Sequence, residues 1–105
     1  MKALSVEILR MVDSSFPNWV ECRLIDAQGD AHLFVEKAPI VVRAALVGDG
    51  CYPRSGEIAC EVQSEWKDTA NRSFVRIDTT RPDGVESIAG LSEFVIHASQ
   101  LIDVP

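Results

Sequence analysis

Between Trp19 and Lys37 the chain twice alternates apolar and polar residues, once on each side of a turn. Val20, Cys22 and Leu24 alternate with Glu21 and Arg23, the period of two that marks a half-buried strand. Asp26-Ala27-Gln28-Gly29 follows as a four-residue loop, after which Leu33 and Val35 alternate with His32, Phe34 and Glu36. Pairing Ile25 with Asp30 sets Cys22 against Leu33 and Val20 against Val35, so the apolar residues share one face. Slipping the register by one residue would set Leu24 against His32 and Cys22 against Phe34, leaving Leu33 and Val35 wet. Burial therefore favours the first register. Gly29 is expected in the left-handed conformation that ends such a loop. Phe34 then falls on the outer side opposite Glu21, where it is either covered by the segment 43–56 or part of a contact surface.

The same alternation recurs downstream. Glu57 to Trp66 predicts a strand with Ile58, Cys60, Val62 and Trp66 on the core face and Glu57, Ala59, Glu61, Gln63 and Glu65 outside. Ser73 to Thr79 returns beside it with Val75, Ile77 and Thr79 inward. A register that places Glu65 opposite Arg76 is favourable, and a shift that places Glu61 opposite Asp78 is repulsive, so the first is expected. Phe94, Ile96 and Ala98 against Val95 and His97 make a last strand, apolar on both sides and so expected at an interior position. Leu101 and Ile102 carry the apolar pattern into a docked tail.

The remaining segments are less regular. Ala3 to Val12 suits a strand or a helical face; its β-branched Val6, Ile8 and Val12 favour a strand, with a bulge near Leu9 and Arg10. Residues 13–18 form a turn-rich connection, with Phe16 and Trp19 expected to cover one end of the core. Ala38-Pro39 ends the second hairpin strand, Ile40 to Val42 suits a further short strand, and 43–47 suits a helical turn or a strand. The Tyr52–Pro53 bond is expected trans. Arg81-Pro82-Asp83-Gly84 reads as a type I turn, followed by a short edge strand over Val85 to Ile88.

Six or seven short strands with turn signals at roughly ten-residue spacing predict a small antiparallel β-barrel, a meander with one Greek-key crossing, the alternative being a β-sandwich. A chain of 105 residues that is 47% hydrophobic forms a single domain, residues 1–105, with a core that needs neither disulfide nor metal.

The net charge of −6 and a pI near 4.7 disfavour a nucleic-acid partner, because that binding rests on cations that neutralise phosphates. No apolar stretch is long enough to span a bilayer, and the N-terminus lacks the apolar run of a signal peptide, so a soluble cytoplasmic protein is expected. Cys22, Cys51 and Cys60 are an odd number, which favours reduced thiols, and the strand positions of Cys22 and Cys60 make them core residues. His32 and His97 with these cysteines lack metal-ligand spacing, so neither metal nor cofactor is expected. The absence of catalytic spacing together with the acidic stripe Glu57, Glu61, Glu65 suggests a non-enzymatic module. It would bind a protein partner, such as a basic toxin or nuclease, or a second copy of itself, through that stripe and Phe34. A small-molecule or hydrolytic site at the barrel mouth using His32, His97 or Cys51 is the alternative.

Overall fold

Seven strands make up most of the computed structural model, which describes residues 1–15, 18–41 and 52–104. They are β1 (Lys2–Asp13), β2 (Trp19–Ile25), β3 (Ala31–Lys37), β4 (Arg54–Lys67), β5 (Ser73–Asp78), β6 (Glu93–His97) and β7 (Leu101–Asp103). Every pairing is antiparallel, in the order β3-β2-β1-β4-β5-β6, with β7 beside the start of β1. The sheet curls into a half-barrel. β1 to β3 run as successive neighbours and β4 returns beside β1, which is a Greek key, and β4 to β6 continue as a meander.

Two strands carry the curvature. In β1, Ile8 pairs with Cys22 and Arg10 with Glu21, so Leu9 is the extra residue of a bulge where one was expected, and a second bulge falls at Val12. The first bulge resets the phase, bringing Met11 rather than Arg10 to the side of Ile8. β4 gives residues 54–60 to β1 and residues 61–67 to β5, so it belongs to both halves of the sheet. The inward residues Leu4, Ile8, Leu24, Ile58, Ile77 and Ile96 meet in one buried cluster. The two ends of the strand order are joined by loop bonds. The Ala27 N–H donates to the Val95 carbonyl at 2.9 Å, and the Ile88 N–H to that of Leu33 at 2.9 Å.

Several expectations are corrected. In the central hairpin Cys22 pairs with Phe34 and Leu24 with His32, one residue from the expected register. Asp26 and Asp30 close the loop through Asp26 N–H to the Asp30 carbonyl, with Gly29 left-handed at φ +88°, so Ile25 pairs with Ala31. Phe34 is thereby turned inward and fully buried, edge-on to Phe94 at 5.6 Å. Burying one phenyl ring outweighs leaving Leu33 and Val35 half-buried. Ala38–Val41 is one helical turn rather than a strand; Val42 and 43–51 lie outside the described residues, as does Phe16. Tyr52–Pro53 and Arg81–Pro82 are both cis. The turn after β5 closes from Gly84 N–H to the Thr80 carbonyl at 2.7 Å, one residue wider than a β-turn. Val85 to Ile88 is not a strand, yet Val85 and Ser87 are buried. β6 ends the strand order instead of lying inside it.

Two glycines are required for different reasons. Gly29 has open space around a would-be Cβ but an unfavourable φ for any side chain. At Gly56 on β4, a Cβ would lie 2.8 Å from two side-chain atoms of Ile8 and 3.0 Å from the Val41 carbonyl. Gly29→Val is expected to lower stability by about 1–2 kcal/mol through backbone strain. Gly56→Ala is expected to lower it by about 1–3 kcal/mol through overpacking. Trimming Ile8 to Val should relieve part of the second loss and none of the first, as read by chemical denaturation of the single and double variants.

Candidate functional site

Directly opposed residues of antiparallel strands share a face, so the pairings of β4, β5 and β6 define what the outer side of this half presents. Glu61 lies opposite Asp78, and Asp78 opposite Glu93, which sets three carboxylates in one row across three strands. The next outward row is Ser64, Arg76 and Val95, and the third is Trp66, Phe74 and His97. Beneath them, Val75, Ile77, Phe94 and Ile96 point into the core.

A bulge produces this order. Val62 pairs with Ile77 but Ser64 pairs with Arg76, so Gln63 is the extra residue and the phase of β4 inverts after it. Trp66, expected in the core beside Ile58 and Cys60, instead stands outside and is 40% exposed. Glu65 pairs with Val75 and so takes the opposite side from Glu61. The expected stripe Glu57, Glu61, Glu65 therefore does not exist as one face. Glu61 remains in the acidic row. Glu57 is half-buried on β4 next to β1, with its Oε2 enclosed and without a hydrogen-bond partner among the described residues. The expected Glu65–Arg76 pair is likewise replaced by the repulsive Glu61–Asp78 one. Phe34, in the core, is not part of any surface.

The central carboxylate of the row is held by its own strand end. Asp78 Oδ1 accepts from the Thr80 N–H at 2.9 Å and the Thr80 hydroxyl at 2.8 Å. These bonds, the backbone one first, hold its carboxyl below the ordinary carboxylate value and keep it ionised. Arg76 forms no ion pair with the row among the described residues. In the aromatic row Phe74 stands between Trp66 and His97, with centroids 6.1 Å and 5.3 Å away and planes 26° and 34° apart. The Arg72 guanidinium lies 5.7 Å from the Phe74 centroid. It is anchored at 2.7 Å by Asp68, which also accepts the N–H groups of Ala70 and Arg72 and so orders the β4–β5 loop. A cleft of about 360 Å³ bordered by Glu65, Trp66, Phe74 and Ala98 runs along this end.

The histidines are not brought together by their contacts. His32 Nε2 lies 2.8 Å from Asp26 Oδ2 and its ring meets the core phenyl of Phe94 at 4.9 Å, whereas His97 lies against outward Phe74. Asp26 Oδ1 also accepts from the Gln28 and Asp30 N–H groups, so the pair fastens the β2–β3 loop. Cys22 and Cys60 are buried free thiols, and Cys51 lies outside the described residues. No group of three His, Cys, Asp or Glu residues among the described residues could hold a metal ion. No helix among them is long and apolar enough to cross a membrane. The chain matches no protein-family model, no curated protein and no solved structure in comparisons with each.

Asp78, Glu93 and Phe74 are the surface residues that reading the strands singly missed, and His97, named there only for a hydrolytic site, joins Phe74 on this face. The one local sign was Gln63-Ser64-Glu65, three consecutive polar residues inside an alternating strand. Burial pushes the Cys22 thiol up to about 12 and that of Cys60 up to about 11, from 9.0. Both should resist iodoacetamide in the native state and react in urea, as peptide mapping would show. An unfolded chain gives up these protons from about pH 9.0 while the folded one holds them. Their contribution to stability is therefore complete below that pH and lost as pH rises toward 12. Unfolding midpoints should fall over that window, and Cys22→Ala should flatten the fall.

Proposed function

We propose that the protein is a non-enzymatic interaction module that binds a basic protein partner through the outer face of β4, β5 and β6. The observation that carries this reading is the in-register row Glu61–Asp78–Glu93, beside a partly exposed aromatic row on the same face. Opposed like charges cost roughly 0.2–1 kcal/mol per pair, a small penalty that core burial overrides. A cationic partner removes it on binding and is steered to the face by the field of the row. Trp66 supplies the large, two-torsion contact side chain typical of interface anchors. The same row repels phosphate, which argues against a nucleic-acid partner despite the aromatic shelf. A basic toxin or nuclease whose cationic cleft the face would occlude fits the same chemistry. Hydrolysis is the weaker reading, since His32 is engaged in a loop-fastening contact and His97 in ring packing.

The reading makes stability and binding move in opposite directions. Glu61→Gln and Glu93→Gln should each raise the unfolding free energy by a few tenths of a kcal/mol, and each should slow association with a partner purified from the native cell. Arg76→Ala should speed that association, because it removes a cation from the landing face. Raising salt should slow association in every form. An association rate indifferent to salt and to all three substitutions would rule the face out.

A further inference from the structure

We infer, on the basis of that reading, that the partner contributes an arginine side chain whose guanidinium stacks on the open face of Trp66. Phe74 has Trp66 and His97 as ring neighbours and the Arg72 guanidinium 5.7 Å from its centroid, so its ring is already engaged. Among the described residues Trp66 has Phe74 as its one ring neighbour and is 40% exposed, and beyond it lies the edge of β4 that faces away from β5. That edge is free of strand pairing among the described residues, because β1 ends with Lys2 opposite Cys60. It is a poor template for an added strand: the Gln63 bulge breaks its ladder and Lys67 ends it. A flat side chain laid on the indole fits where a strand does not.

The protein already shows what this row accepts. Arg72 holds its guanidinium 5.7 Å from the Phe74 centroid while Asp68 binds its N–H edge. A partner guanidinium over Trp66 repeats the ring contact of that arrangement. Arginine suits the position better than lysine, because a guanidinium stacks through its plane and keeps its N–H groups free for carboxylates, whereas an ammonium stays strongly hydrated. The acidic row lies four residues along β5 from the aromatic row, Asp78 against Phe74, a span of about 13 Å. The partner is thus a protein surface with an arginine roughly that far from a cluster of further cations.

The test uses the whole chain and two probes of equal charge, nona-arginine and nona-lysine peptides, titrated at one low salt concentration. The arginine peptide is expected to bind about five- to tenfold more tightly than the lysine peptide. Trp66→Leu should abolish the difference and leave the lysine peptide's affinity unchanged. Phe74→Leu, which removes the ring behind the indole, should reduce it. Glu61→Gln with Glu93→Gln should weaken both peptides while preserving their ratio. Equal affinities for the two peptides, or a preference that survives Trp66→Leu, would overturn the arginine seat and leave the acidic face standing. Failure of either peptide to bind in a salt-dependent way would overturn both. Circular dichroism of each variant confirms that the fold is retained.

Discussion

One strand has to serve both halves of the sheet. β4 gives its first seven residues to β1 and the rest to β5, and among the described residues no other strand links the Greek key to the meander. This double duty demands close approach at one point and a break in phase at another. The close approach is at Gly56, where Ile8 and the Val41 carbonyl leave no room for a side chain. The break is the bulge at Gln63. Between them lie Ile58 and Cys60, buried against the rest of the core.

The bulge also determines what the protein shows to solvent. Without it, Trp66 would continue the inward phase of Ile58 and Cys60, and Glu65 would join Glu61 outside. With it, the indole joins Phe74 and His97 in a row on the outer face. The surface that results carries opposed carboxylates at one end and aromatic rings at the other, with Arg76 between. Its charges are poorly arranged for stability, which is what motivates the proposed cationic partner. The surface ion pairs elsewhere, such as Arg10 with Glu21 and Lys2 with Asp103, are solvated and add little to the fold.

Period-two patterning placed the strands well, because one side of each strand must be apolar for the sheet to have a core. Val75, Ile77 and Thr79 are inward as their alternation implied, and the interruption at Leu9 marked a real bulge. Gly29 was legible too, since few residues tolerate its φ. Registers were not legible, because they depend on loop closure and on residues from the far side of the core. Phe34 is inside because Phe94 meets it there, and nothing near Phe34 in the chain announces that contact. The acidic row was hidden for a related reason. Pairwise charge preference between strands is worth less than the burial of Ile77 against its neighbours, so repulsion between Glu61 and Asp78 could not set the pairing.

The central claim is that β4 changes phase at Gln63, and cross-strand backbone contacts measured by nuclear Overhauser effects in solution test it directly. The account predicts contacts pairing Val62 with Ile77, Glu65 with Val75 and Trp66 with Phe74, and a Gln63 amide outside the regular ladder. A ladder that ran unbroken from the Val62–Ile77 pair, setting Glu65 against Phe74 and Trp66 against Ser73, would contradict it. The aromatic row would then not exist, and the proposed binding face would lose its anchor.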